Sequence, residues 1–526
     1  MGAHSGTAPG GGCFGGPGPG CTIFCVDAAI RQPSALHRIA PEDDVAVALA
    51  DLEPGAHMTV DGAPLDITEP IPRGHKVALR DIAAGEVVRK LGWPIGRTTR
   101  NIARGSHVHT HNLATALSGL NEYVYSPHSM RTPANADAPT FMGYRRADGR
   151  VGTRNEIWIL CTVGCVARTA ERIARMGSER FAGRVDGVHA FTHPFGCSQL
   201  GEDLAHTRSV LASLAAHPNA GGVLIVGLGC ESNQLNKLLP EIGRSDLARL
   251  RAFAAQATED ETEEGLAALE ELVAIAERDR REPCPLSALT VGLKCGGSDS
   301  FSGMTANPLV GYVADRVCEG GGTAILTEIP EVFGAEHLLM DRAVDERVFH
   351  EVVTLVNDFK RYFLQHGQPI SENPSPGNIA GGITTLEEKS LGAVQKGGHT
   401  PLTQVLRYGD RVAHPGLALL EAPGNDAVSS TALVAAGATV VLFTTGRGTP
   451  LGFPAPTLKI SSNSALAQKK PRWIDFDAGV VLAGASVAAA GEQLLQLVLD
   501  TASGKLARNE TNDEREISIW KSGVTL

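Results

Sequence analysis

The sequence predicts an α/β protein in which a small all-β N-terminal domain precedes a large α/β region with a mainly parallel sheet. Three observations carry that prediction. Between residues 34 and 117, short apolar stretches are broken repeatedly by turn signals. Beyond residue 140, apolar runs that end at glycines alternate with helical patterns, as strand-helix-strand units do. The chain has 526 residues, more than a single hydrophobic core supports, so several domains are required.

Residues 1–33 are dominated by Gly, with Pro and the cysteines Cys13, Cys21 and Cys25, and predict a disordered extension. Residues 34–117 contain MTVDGAPLDI, HKVALRDI, GEVVRKLGWPI and GSHVHTHNL, the strands of the small β domain. Residues 118–139, rich in Pro, Ala and Ser, predict a linker. Residues 140–526 hold EIWILCTVGC, GGVLIVGLGCE, LTVGLKCGGSD, TAILTEIPE and ATVVLFTTGRGTP, and make the large region, expected to divide into two subdomains. The segment DETEEGLAALEELVAIAERDRRE, 260–282, has helical apolar spacing with acidic residues early and basic residues late, which suits the helix dipole.

Hydrophobic residues make up 43% and charged residues 20%, an ordinary globular balance. A net charge of −11 disfavours nucleic acid and anionic membrane surfaces as partners. No apolar run suits a bilayer span and the start lacks a secretion signal, so a cytoplasmic protein with reduced thiols is expected for its ten cysteines. A small anionic ligand remains compatible with local clusters of Arg and Lys, and a homo-oligomer is compatible with the composition.

His107, His109 and His111 alternate in HVHTHN, so on a strand all three imidazoles share one face at roughly 6.6 Å intervals. A lone histidine is usually structural; three on one face point to metal or acid–base use. Cys197, Cys230 and Cys295 each stand beside glycine near the end of a strand or turn, where open α/β sheets bind ligands. They read equally as buried small residues or as ligands, and no CxxC pair favours a cluster. In CGGSDSFSG, Asp299 offers a ligand or base, and Ser298, Ser300 and Ser302 offer hydroxyls to a polyhydroxylated substrate. Phosphate-binding glycine patterns are not cleanly present, so nucleotide binding is not supported. Arg145, Arg146, Arg150 and Arg154, with Arg447, Lys389 and Lys396, are candidates to clamp a carboxylate, and the glycine-flanked Arg154 and Arg447 are preferred.

Read in order, DDVAVALADL, IPRGHKVALRDIAAGEVVRKLGWPIG, HVHTHN, VGTRNEIWILCTVGCV, GCSQLGED, HPNAGGVLIVGLGCE, CGGSDSFSGMTANP, EIPEVFGAEHLLM, ENPSPGN and FTTGRGTP resemble the altronate and galactarate dehydratase family from about residue 36 onward. WIDFDAG and ISIWKSGVTL resemble its altronate branch. The resemblance implies that the small domain is an SAF module, similar to antifreeze-like and β-clip domains, and that a related sulfolactate sulfo-lyase carries the two regions as separate subunits. It also implies an Fe(II)- or Mn(II)-dependent hydro-lyase that converts D-altronate to 2-dehydro-3-deoxy-D-gluconate in hexuronate catabolism. Two departures stand out: the Gly-rich extension, and Ile379 in GNIAGGITT where the family pattern leads one to expect Lys.

On this reading two of His107, His109 and His111, with Asp299 or Glu231, hold the metal, and the remaining histidine or His193 moves protons. Arg154 and Arg447 orient the substrate carboxylate, while Ser298, Asn307 and Asn463 bond its hydroxyls. The alternatives are galactarate or another sugar acid as substrate, an iron–sulfur hydro-lyase on Cys197, Cys230 and Cys295, and a sugar-acid sensor without turnover.

Overall fold

The computed structural model describes residues 35–126, 138–243 and 246–526, so the Gly-rich extension lies outside the described residues. In the N-terminal module, strands Leu36–His37, Val45–Ala48, Lys76–Ala78 and His107–Val108 form an antiparallel sheet in that order. A hairpin, His57–Val60 with Ala63–Asp66, and a three-stranded sheet of Val87–Lys90, Trp93–Thr98 and Leu113–Ala114 complete it. The hairpin turns at Asp61-Gly62 and Leu91-Gly92 hold positive φ at both residues, the geometry a two-residue antiparallel turn requires.

Strand alternation gives this module two apolar faces. Ala46 and Val77 point into its own core with Leu36, Leu52, Leu65 and Ile71. Val45, Ala78 and Val108 point the other way, into the large core shared with the C-terminal region. The β module is therefore fused to its neighbour through packed side chains. Residues 118–126 form neither helix nor strand, yet they are anchored: Lys360 Nζ donates to Tyr123 Oη at 3.1 Å and to Glu336 at 2.7 Å.

A first parallel sheet orders its strands Gly187–Phe191, Glu156–Cys161, Ala220–Gly227, Leu250–Ala254. Helices Ala167–Arg180 and Glu261–Ala276 pack on one face, and Gly201–Ala215 packs on the other. The helix expected over 260–282 starts where Asp260 accepts from the backbone N–H groups of Thr262 and Glu263, and it ends at Ala276. Glu282–Pro285 instead pairs with Thr140–Arg145.

A second, seven-stranded parallel sheet runs Leu402–Leu406, Gly416–Leu420, Thr323–Leu326, Thr290–Cys295, Val440–Thr445, Thr457–Ser461, Phe476–Asp477. Its inner strands are buried on both faces, which explains their nearly continuous apolar runs. Among the described residues, no helix is long and apolar enough to cross a membrane.

Candidate active site between the β module and the seven-stranded sheet

Lys76 pairs with Val108 and Val77 with His107, so continuing that antiparallel register by one residue sets His75 opposite His109. Strand pairing ends at Val108, and the chain turns where the His109 carbonyl accepts from the N–H groups of Asn112 and Leu113. Buried Asn112 clamps the turn by accepting from His109 N and donating to the His107 carbonyl. The expectation of three histidines along one strand face is thus corrected: the turn, with His75, gathers the rings. His75 Nδ1 and His107 Nε2 are 3.0 Å apart, and the His107 ring centroid lies 5.3 Å from those of both His109 and His111. One ligand atom from each of His75, His107 and His109 falls within 4.8 Å of the others.

Burial, then the neighbouring His75 and His109, push His107 down to about 3. Burial and Lys76 push His109 down to about 4. At neutral pH both are neutral imidazoles with lone pairs to offer.

Two lysines join the module to the sheet edge. Lys76 Nζ donates to Gly382 O at 2.7 Å, Thr384 Oγ1 at 2.7 Å and Glu388 Oε2 at 2.8 Å. Lys90 Nζ donates to Glu388 Oε1 at 2.7 Å and Ser300 Oγ at 3.0 Å. Burial opposes the charge on Glu388, but Lys76 and Lys90 hold it down at about 2; burial and Lys90 lower Lys76 to about 8 against the pull of Glu388. At neutral pH Glu388 is a carboxylate and Lys76 an ammonium. Lys90, Ser298, Asp299, Ser300, Glu388 and Lys389 line a narrow cavity beside it.

A second buried network lies at the carboxyl ends of Thr290–Cys295 and Thr323–Leu326. Lys294 bonds Glu328 and Asp426, Lys396 lies 2.7 Å from Cys295 Sγ, and Lys389 donates to Glu331 at 2.7 Å. Glu328 sits at φ 70°, a conformation that non-glycine residues rarely adopt. Despite burial, Lys389, Lys294 and Lys396 hold Glu331 down at about 2. Cys295, Glu328 and Glu331 are close enough to share an ion, but ammonium groups already occupy them.

Asp299 is engaged on both carboxylate oxygens: it accepts from Ser302 Oγ at 2.9 Å, Ser462 Oγ at 2.8 Å and Asn463 Nδ2 at 3.1 Å. Burial raises it despite these bonds, so it organises the cavity wall and is not grouped with the histidines. Ser298 lies in the same wall, where its carbonyl accepts from Asn378. Arg447 is exposed at the rim, donating to Gly377 O at 3.3 Å. Ile379 occupies the short helix Pro376–Ala380, where the cations in contact are Lys389, bonded to Asn378, and Arg447, bonded to Gly377 O.

Several expected site residues have other duties. Arg154 is buried and held by Glu510 and by the carbonyls of Thr153, Thr501 and Lys505, so it braces the C-terminus instead of a substrate. His193 donates to or accepts from backbone at both ring nitrogens, through Cys161 O and Phe195 N. Glu231 accepts from Thr162 Oγ1 and the N–H groups of Leu228 and Gly229, at the other sheet. Asn307 bonds Gly392 O and Thr444 Oγ1, and Asn463 caps the helix Ser464–Lys469. Cys197 and Cys230 stand at the four-stranded sheet, Cys295 in the seven-stranded one, so those three do not converge. His75, Lys76, Lys90 and Glu388 were missed: no spacing rule links residues that the chain brings together across some 300 positions. Gly74 beside His75, a turn residue that the structure holds at φ 87°, was a local signal in the sequence.

The architecture defines a class: a parallel-sheet enzyme whose buried, charged strand ends are covered by a β module carrying neutral imidazoles. The chain belongs to the D-galactarate/altronate dehydratase family. Residues 34–116 match its SAF domain, 143–277 its second domain and 286–525 its C-terminal domain. The chain is 52% identical to altronate dehydratase of Escherichia coli (strain K12) over 92% of this chain and 98% of that protein. It is 47% identical to altronate dehydratase of Bacillus subtilis (strain 168), over 93% and 99%. Galactarate dehydratase (L-threo-forming) of Escherichia coli (strain K12) is 37% identical over 90% and 95%.

Proposed function

We propose that this chain is a cytoplasmic hydro-lyase that dehydrates D-altronate to 2-dehydro-3-deoxy-D-gluconate in hexuronate catabolism. The observation that carries this is identity above 45% to two altronate dehydratases along nearly their whole length, against 37% to a galactarate dehydratase.

The reaction removes a proton from carbon 2, beside a carboxylate, and hydroxide from carbon 3; the resulting enol becomes the ketone. The difficulty is the negative charge that gathers at the carboxylate as the proton leaves. His75, His107 and His109 fit Fe(II) or Mn(II) in donor chemistry, since neutral imidazoles suit such ions and their ligand atoms converge. Bound there, the ion would supply a Lewis acid for the carboxylate and its neighbouring hydroxyl. With His193 bound to backbone, His111 is the histidine left to take the proton from carbon 2. Lys90, on the cavity wall, supplies the proton that the departing hydroxyl needs. Arg447 at the rim draws in the carboxylate.

The test is turnover of D-altronate by metal-stripped protein reconstituted anaerobically with Fe(II), Mn(II) or neither, followed as 2-keto-3-deoxy acid. Product restored by either ion supports the reading. Turnover of galactarate but not altronate would change the substrate, and binding without product would make the protein a sensor.

A further inference from the structure

Seven cysteines lie among the described residues, all free; Cys161, Cys284, Cys295 and Cys318 are buried, while Cys165, Cys197 and Cys230 are exposed. Cysteine is among the most commonly buried residue types, so three exposed thiols in one domain need a cause. Each of the three follows a glycine. Gly164-Cys165, Gly196-Cys197 and Gly229-Cys230 come after strands Glu156–Cys161, Gly187–Phe191 and Ala220–Gly227, which are parallel neighbours with Glu156–Cys161 in the middle. Their carboxyl ends open on one edge of the sheet.

The three loops are tied together beside the thiols. Gly164 N donates to Phe195 O at 2.9 Å, Asn233 N donates to Gly196 O at 2.9 Å, and Thr162 Oγ1 donates to Glu231 at 2.5 Å. A Cβ on Gly196 would stand 2.0 Å from Thr162 O, and one on Gly164 would stand 3.0 Å from His193 O, so the glycines permit this approach. The C-terminus pins the Cys197 loop, because Leu526 N donates to Ser198 O at 3.0 Å.

We infer that Cys165, Cys197 and Cys230 are a three-thiolate site for an iron–sulfur cluster, separate from the histidine site. A single tetrahedral ion with bonds of about 2.3 Å holds its sulfurs roughly 3.8 Å apart. These three sulfurs are not among the described groups whose ligand atoms fall within 4.8 Å of one another. A cluster spreads its thiolates over different irons and so calls for sulfurs further apart than a single ion does, which the three adjoining loops can supply. The neighbouring polar groups do not compete: Glu231 and His193 are bound to backbone and Thr162. Gln256 Nε2 lies 3.5 Å from Cys230 Sγ, the kind of donor that tunes cluster potential. Each thiol gives up its proton on ligation. Three ligands leave one iron of a four-iron cluster open to an oxygen ligand from solvent or a hydroxy acid.

The full chain, reconstituted anaerobically with ferrous iron and sulfide, tests this by iron and acid-labile sulfide content, visible absorption and electron paramagnetic resonance. The wild type should hold about four sulfides and about four irons beyond the one at the histidine site. C165S, C197S and C230S should each lose most of the chromophore with unchanged circular dichroism, whereas C318S and H107A should keep it. Absence of labile sulfide in the wild type, a chromophore surviving in the triple serine variant, or a lone zinc ion on the three thiols would overturn the inference. Altronate turnover by the same samples reports separately on the histidine site.

Discussion

The two parallel sheets end in different chemistry. At the carboxyl edge of the four-stranded sheet, three thiols face solvent and the polar side chains Glu231 and His193 serve the backbone. At the carboxyl edge of the seven-stranded sheet, Lys294, Lys389 and Lys396 are buried against Glu328 and Glu331, and the β module adds Lys76, Lys90 and the histidines. Parallel topology gathers loops at one edge in both cases. What differs is the cover: the second edge is sealed by packed β strands that bring several neutral imidazoles together, whereas burial at the first edge also lowers His193 but leaves it bound to backbone. Topology selects where a site forms, and enclosure selects what it can do.

The largest expected effect tests that enclosure. His107→Ala or His109→Ala should lower altronate turnover by about 10²- to 10⁴-fold with the fold intact by circular dichroism, consistent with loss of a positioned imidazole. Wild-type turnover would mean that the covered edge is not the catalytic one.

Next is the joint itself. Glu388→Ala leaves Lys76 and Lys90 buried without their carboxylate and should cost about 3–5 kcal/mol, read from the denaturant midpoint. Adding Lys76→Met should recover part of that loss, since it removes one stranded charge. An unchanged midpoint in the single variant would show the module to be loosely seated.

The two sheets should also respond oppositely to pH. Glu331 and Glu388 are held at about 2, below the usual 4.5, so their contribution is present above 4.5 and is lost as pH falls toward 2. Glu156, at the start of the middle strand of the four-stranded sheet, is pushed up to about 7 by burial. The folded protein then binds its proton more tightly than the unfolded chain, so this contribution declines as pH rises from about 4.5 to 7. Thermal scans should show Glu156→Gln gaining relative stability at pH 8, and Glu388→Gln losing the acid-side slope. Parallel profiles for the two variants would break the contrast.

Legibility in the sequence followed the same division. The strand-rich start and the parallel runs were readable because alternation and glycine-terminated apolar stretches are local patterns, and the helix over 261–276 announced itself through Asp260 and its acidic first turn. HVHTHN marked where the histidines cluster because three of them in five residues are visible without a fold. His75 was not visible, since its partnership with His109 depends on strand register, and Glu388 was not, since its partners Lys76 and Lys90 lie in another domain. Arg154 misled for the converse reason: a glycine-flanked arginine looks available, and only tertiary structure shows Glu510 waiting for it. Cys165 shares the Gly-Cys pairing of Cys197 and Cys230, a repeat that was readable but gained meaning only once the three strands were seen to be neighbours.

The smallest expected effect separates these two arginines. Arg447 is exposed at the rim of the covered edge and makes a single bond to a backbone carbonyl, so Arg447→Ala should leave the unfolding midpoint within about 0.5 kcal/mol of wild type. The proposed role of its guanidinium, orienting the substrate carboxylate, predicts KM raised about tenfold, near 1.4 kcal/mol, with kcat little changed. Arg154→Ala should do the reverse, lowering stability because Glu510 loses its bidentate partner in the interior, while KM for molecules that remain folded stays close to wild type. If Arg154→Ala instead raised KM and left the midpoint alone, the covered edge would extend further toward the four-stranded sheet than the histidines and lysines now mark it.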